Sequence, residues 1–276
     1  MDLIIQGIEI ETSDLRQLAK LSGASKIERI NGNAFRLIDA SQRDRISSLC
    51  LEAELDFAFV DERKSLNQFR LIAMDMDSTL VGIETIDEIA DIHGMRKQVA
   101  EITEKAMYGE IDFSEGLIQR VALLKGLEHS VLQRVYDERL IFNPGAEKML
   151  KKLKVAGIKT MLISGGFTFF TDKLKDRLGL DYTFANTLET VNGRLTGRLL
   201  GEVFGAKGKG WALNKICNEL GFRKENLIAI GDGANDLSMF AEAGVSIAYH
   251  AKPIVQENAT YAINHVGLDG VINIFQ

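Results

Sequence analysis

Cysteine, proline and tryptophan are scarce: two, two and one in 276 residues. Cys50 and Cys217 stand apart, without metal-ligand or redox spacing, so neither a disulfide scaffold nor a thiolate metal site is expected. Cys50 falls on the apolar side of an expected helix and reads as core packing. The four histidines, His93, His129, His250 and His265, are scattered, which argues against zinc. Net charge is −6 and no basic block occurs, which argues against a nucleic-acid or anionic-membrane partner. No apolar run reaches the ~20 residues of a membrane-spanning helix. The start, "MDLIIQGIEI", has no cationic region or cleavage site, so no signal peptide is expected. A Walker-type glycine-rich loop, a Ser–His pairing and a G-x-S-x-G elbow are all missing. A soluble protein of a reducing compartment, the cytoplasm, is the expectation.

The first sixty residues have their own pattern. "LIIQGIEI" reads as a strand and "TSDLRQLAKLSG" as a helix capped by Thr12 or Ser13 and stopped by Gly23. "KIERINGNAFRLI" reads as a hairpin around Asn31-Gly32. A second amphipathic helix, "SQRDRISSLCLEAEL", and a strand, "DFAFV", complete the order βαββαβ. This order predicts a small ferredoxin-like α+β domain over 1–65. The charged stretch "DERKSLNQFR" (61–70) reads as the link to a second domain over 70–276.

From residue 70 short apolar runs alternate with helices, the pattern of a mostly parallel, Rossmann-like sheet covered on both faces. The runs "LIAM", "TMLI", "LIAI" and "VSIAY" end in "DMDST", "SGG", "GDGAND" and "HAKP". Ligands of open α/β sheets sit at strand carboxyl ends, so all four clusters are expected to meet. Residues 84 to about 140 show helical patterns only and read as an inserted cap, opened by a capping box at Thr85–Glu88. "ETVNGRLTGRL", with Asn192-Gly193, reads as a β-hairpin flap.

Asp75, Asp77, Asp232 and Asp236 in one crevice would repel one another unless a cation sat among them. Oxygen-only ligands favour Mg²⁺. Ser164, Gly165 and Gly166, read as opening a helix, offer an anion site, and Lys209 adds a fixed positive charge. Together these describe a phosphate cradle. By elimination the nucleophile is a carboxylate. Asp75 ends the buried strand directly and is the better candidate, and at an ordinary pKa of ~3.9 it is ionised without a base. Asp77 is then placed to protonate the leaving alkoxide, given a raised pKa.

"DMDSTL", "SGG", Lys209 and "GDGAND" resemble the four motifs of the haloacid dehalogenase phosphatase superfamily. "ETIDEIA", "EKAMYG", "ALLKGL", "LISGGF", "DYTFAN", "GDGANDLSM" and "YHAKP" resemble its members that hydrolyse O-phospho-L-serine, over about residues 70–270. The resemblance implies Mg²⁺ held by Asp75, the Asp77 backbone oxygen and Asp232. It implies phosphate binding by Ser164, Gly165, Lys209 and Asn235, and release of L-serine as the last step of serine synthesis. Glu84 would take the substrate ammonium and Arg120 its carboxylate. Met107 and Phe113 would seal the pocket, with core packing as the alternative for Met107. Phosphoryl transfer to a second amino alcohol such as homoserine is the alternative reaction. The N-terminal part resembles an ACT-type domain but lacks that domain's Asp-x-Pro-Gly turn, so a structural or homodimerising role stands beside a regulatory, serine-binding one.

Overall fold

The computed structural model describes residues 1–61, 64–107 and 110–276, the Met107 side chain aside. A four-stranded antiparallel sheet comes first in the chain. It runs β1 (Asp2–Gln6), α1 (Thr12–Ser22), β2 (Lys26–Asn31), β3 (Ala34–Ile38), α2 (Ile46–Glu52) and β4 (Asp56–Val60), with sheet order β2-β3-β1-β4. Its helices cover one face over a core of Leu3, Ile5, Leu18, Leu37, Ile46 and Cys50. Burial pushes the Cys50 thiol up to about 12, with the nearby Asp56 charge adding, so Cys50 stays a protonated packing residue. Two expected elements are shorter than their patterns. The first strand stops at Gln6, and α2 starts only at Ile46, after Arg45 takes a left-handed φ of 64° that no helix continues.

The rest of the chain is built on a seven-stranded sheet. β5 (Leu71–Met74) is followed by four helices, α3 (Thr85–Ile92), α4 (Arg96–Met107), α5 (Phe113–Ala122) and α6 (Ser130–Glu138). Then come α7 (Ala146–Val155), β6 (Lys159–Phe167), α8 (Thr168–Leu178), β7 (Tyr182–Val191), β8 (Arg194–Leu200) and α9 (Ala206–Glu219). β9 (Leu227–Gly231), α10 (Leu237–Glu242), β10 (Val245–Tyr249), α11 (Pro253–Glu257), β11 (Tyr261–Ile263) and α12 (Gly270–Ile274) complete it. The order is β11-β10-β9-β5-β6-β7-β8, parallel except for β8 against β7. β5 is central and wholly buried. Ile72 and Met74 enter one core cluster and Leu71 and Ala73 another, so helices covering both faces explain a strand with no polar residue.

Between α3 and α6 there is no strand among the described residues, as the cap pattern requires. β7 and β8 turn through Asn192 and Gly193, both with positive φ, and form the expected hairpin. That hairpin braces the cap: Gly126 N donates to Leu195 O, Leu195 N to Leu127 O, and His129 N to Gly193 O. Among the described residues, no helix is long and apolar enough to cross a membrane.

Candidate active site

β9 and β6 flank β5, so three adjacent strands end side by side. Asp75 follows the last residue of β5, and its N–H still donates to Ile230 O of β9 at 3.0 Å. Asp232 follows β9, and Ser164 lies on β6. Lys209, in the first turn of α9, is fully buried and donates to Asp75 Oδ2 and Asp236 Oδ1, each at 2.7 Å. Asp236 is satisfied elsewhere as well, since its Oδ2 accepts from the N–H of Asp232 and of Gly233 at 3.1 and 3.0 Å. It therefore fixes both the lysine and the loop carrying Asp232. Asn235 sits between them, its amide packed over the Gly233 backbone.

The loop after β5 is tightly specified. Asp77 Oδ1 accepts from Thr85 N at 2.8 Å, and its Oδ2 faces Ser164 Oγ at 3.4 Å. This corrects the expected capping box: Thr85 is the first helical residue, Glu84 holds the N-cap position, and the cap bond comes from Asp77. Glu84 instead accepts from Ser78 Oγ at 2.7 Å. Ser78 takes a left-handed φ of 57°, held by that bond and by Asn143, whose amide donates to Ser78 O and Thr79 O at 3.1 and 2.8 Å. Thr79 Oγ1 donates to Asp232 Oδ1 at 2.8 Å, tying the two carboxylate loops together.

The "SGG" segment departs from expectation. β6 continues through it to Phe167 and α8 begins only at Thr168, so Ser164, Gly165 and Gly166 belong to the strand and do not open the helix. A register shift after Ile163 bulges the strand there, and Gly166 N donates to Ser164 Oγ at 2.8 Å. The glycines permit close approach: a Cβ on Gly166 would lie 2.8 Å from Asp77 Oδ2, and one on Gly165 2.8 Å from Phe113 Cζ. Phe113, the first residue of α5, thus lays a cap aromatic directly on the core. Asn186 of β7 donates to Gly165 O and Phe204 O and accepts from Phe204 N, at 2.9, 2.9 and 2.7 Å. Arg120 is half-buried on the cap, with Nε near Gly116 O at 3.3 Å and Nη1 near Thr103 Oγ1 at 3.5 Å. The Met107 side chain lies outside the described residues.

"HAKP" does not join the other three clusters. β10 is two places from β5, roughly 10 Å at the usual strand spacing. His250 bonds instead to the edge, its N–H to Ile263 O and its ring to Val266 O. Asp236, Asn186, Thr79 and Asn143 carry bonds that residue-by-residue reading assigns to none of them. Asp236, Thr79 and Asn186 lie inside the motifs "GDGAND", "DMDST" and "DYTFAN", whereas Asn143 lies in none of them.

Crowding sets the electrostatics. Burial, then the Asp236 charge, drives Asp75 well above the ordinary carboxylate range, while Lys209 opposes the shift. Burial pushes Asp77 and Asp232 each up to about 6. Glu84 reaches about 7 through desolvation in the cleft and the adjacent Asp77 charge. Burial alone would lower Lys209, but Asp236 and Asp75 reverse this and hold it protonated. Carboxylate oxygens of Asp75, Asp232 and Asp236 lie within 4.8 Å of one another. Asp236 accepts three hydrogen bonds, whereas Asp75 accepts two, from Met76 N and Lys209, and Asp232 accepts one from Thr79, which leaves these two more capacity for a cation. An all-oxygen donor set with excess negative charge fits a hard divalent cation.

The fold and this site define a class, the haloacid dehalogenase-like hydrolases, whose family model matches residues 69–244. A second model, a domain of unknown function (DUF4072), matches residues 3–46. A phosphoserine phosphatase of Polaromonas sp. (strain JS666) is 52% identical over 214 residues, covering 76% of this chain and 91% of its own. The unliganded structure of a probable phosphoserine phosphatase from Vibrio cholerae superposes with TM-score 0.87 at 37% identity, over 99% of this chain and 86% of that one. A phospho-aspartyl intermediate analogue of phosphoserine phosphatase superposes with TM-score 0.71 at 43% identity, over 75% of this chain and 99% of that one. The chain belongs to the phosphoserine phosphatases within that class.

Proposed function

We propose that the chain hydrolyses O-phospho-L-serine to L-serine and inorganic phosphate through an aspartyl-phosphate on Asp75, with Mg²⁺, as the last step of serine biosynthesis. The observation carrying this reading is Lys209: a fully buried ammonium 2.7 Å from Asp75, with Asp77 at the same strand end. A fixed cation beside a buried carboxylate suits a nucleophile that must approach a phosphoryl dianion. The relative characterised as a phospho-aspartyl intermediate analogue supports the same route.

In the proposed first step an Asp75 oxygen forms the bond to phosphorus while the bond to the serine oxygen breaks. Asp77, raised to about 6, gives its proton to the departing oxygen. Serine leaves, Asp77 takes a proton from water, and that water attacks phosphorus, freeing phosphate and Asp75. Lys209, Ser164, the Gly165 and Gly166 backbone and Asn235 cradle the phosphoryl oxygens. Glu84 receives the ammonium and Arg120 the α-carboxylate, while Phe113 closes the pocket. Asp75, the Asp77 backbone oxygen and Asp232 would hold Mg²⁺, which when bound supplies positive charge to the phosphoryl oxygens and keeps Asp75 ionised. The catalytic domain spans 70–276 with its cap at about 84–140, and residues 1–65 form a second domain.

The test is phosphate release from O-phospho-L-serine with Mg²⁺, with chelator, and with added homoserine. The expected result is Mg²⁺-dependent release that needs no acceptor. Phosphohomoserine formation without free phosphate would replace hydrolysis by transfer, and full activity in chelator would remove the metal.

A further inference from the structure

Ser78 follows the proposed acid/base, Asp77, on the loop that leads into the cap, and its backbone takes a left-handed φ of 57°. That region suits glycine and disfavours a residue with a Cβ, so a serine held there calls for a use of its hydroxyl. All three polar groups of Ser78 are engaged. Its N–H donates to Ile83 O at 3.2 Å, its carbonyl accepts from the Asn143 amide at 3.1 Å, and its Oγ donates to Glu84 Oε1 at 2.7 Å. The first two hold the backbone, and the third reaches a side chain six residues away. Glu84 needs such a tether. Its backbone is fixed as the N-cap of α3, with its carbonyl accepting from the N–H groups of Asp87 and Glu88 at 3.1 Å each. Its side chain is exposed, and among the described residues Ser78 Oγ is its one hydrogen-bond donor. A second bond runs the other way beside it, from Thr85 N to Asp77 Oδ1 at 2.8 Å. The neighbouring pairs 77–78 and 84–85 are thus cross-linked, which sets the Glu84 carboxylate in place relative to Asp77.

We propose that Ser78 is a positioning residue for Glu84, and through it for the substrate ammonium. A carboxylate has about four lone-pair sites on its two oxygens. The serine hydroxyl takes one site on Oε1, which fixes the carboxylate and leaves Oε2 for the ammonium. An untethered glutamate side chain would lose its rotamer freedom on binding, whereas a tethered one has lost it beforehand. Because the same loop carries Asp77, an ammonium seated on Glu84 is held in register with the proton donor to the phosphoester oxygen. Ser78 thereby selects for amino phosphates without touching the reacting atoms. The inference rests on the role proposed above for Glu84.

The experiment measures kcat and KM for O-phospho-L-serine and for 3-phosphooxypropanoate, which keeps the carboxylate and has hydrogen in place of the ammonium. Where turnover of the second is too slow, its inhibition constant replaces KM. The proteins are the wild type, Ser78→Ala, Ser78→Gly, Glu84→Gln and the Ser78→Ala/Glu84→Gln double variant, with melting curves for each. Ser78→Ala removes the hydroxyl and keeps the Cβ, and Ser78→Gly also relieves the backbone. Both should raise KM for phosphoserine roughly tenfold with a smaller change in kcat, and leave binding of 3-phosphooxypropanoate within about twofold of wild type. In the double variant the cost of Ser78→Ala should vanish, because its effect travels through Glu84. Equal losses on both compounds, a full tenfold cost persisting in Glu84→Gln, or a loss in Ser78→Ala that Ser78→Gly restores would overturn the proposal. If the wild type shows no preference for phosphoserine, or Glu84→Gln leaves its KM unchanged, the functional reading falls and the inference with it. If Glu84→Gln is costly and both Ser78 variants are silent, only the inference falls.

Discussion

Asp77 and Asp232 share one cleft, and burial raises each from 3.8 to about 6. A carboxyl raised in the folded state favours folding while protonated. That contribution is complete below about 3.8 and is lost as pH rises through about 6. The metal-free protein thus carries an electrostatic penalty near neutrality that a divalent cation would remove. Mg²⁺ should therefore raise the melting temperature more at about pH 7.5 than at about pH 5, where protons compete for the same oxygens. Equal gains at both pH values would show that these carboxylates do not bind the ion. Replacing the proposed nucleophile is the sharper change. Asp75→Asn removes both an attacking oxygen and a charge beside Lys209, and turnover should fall at least ~10³-fold with the fold retained by circular dichroism. Activity within tenfold of wild type would exclude Asp75 as nucleophile.

The strands, helices and loops supply the positions these residues occupy. Asn186 joins β7 to the bulged end of β6 and to the segment leading into α9 through three hydrogen bonds. Asn186→Ala leaves those backbone groups unpaired, and chemical denaturation should show a loss of about 2–4 kcal/mol. A change under about 0.5 kcal/mol would mean that water replaces the amide freely. Phe113→Ala should uncover Gly165 and raise KM for phosphoserine severalfold, and an unaltered KM would deny the cap aromatic a sealing role. At this scale the sequence is partly legible. "LIAM" reads directly as a strand because a parallel strand buried on both faces must be apolar throughout. The bulge at Ser164–Gly166 does not, because serine and glycine after a strand fit a helix start equally well. The α3 cap is hidden too, since its acceptor, Asp77, lies eight residues before Thr85. Asn186 follows no periodicity, and its role exists only once β7 lies beside β6.

At the scale of the molecule, the two sheets are joined by polar bonds as well as by apolar contact. Asp56, at the start of β4, accepts from the N–H groups of Asn264, His265 and Val266 at 2.6, 3.1 and 3.1 Å. Asn273 donates to Gln6 and accepts from Asn31, and Arg36 reaches Gln276 O. Such long-range pairs leave no sequence pattern, whereas the βαββαβ order and the parallel core do, because each follows from local periodicity. Asp56→Ala should cost about 2–5 kcal/mol by leaving three backbone donors unpaired, measured by urea unfolding. A stability equal to wild type would mean that the small sheet is only loosely docked. The central claim is that the strand ends of the large sheet assemble a carboxylate nucleophile at Asp75. The most direct test is a rapid acid quench of the Mg²⁺-loaded protein mixed with phosphoserine labelled in its phosphoryl group, followed by peptide mapping. The account predicts label on the peptide containing Asp75 and none in Asp75→Asn; phosphate release with no protein-bound label, or label on any other residue, would contradict it.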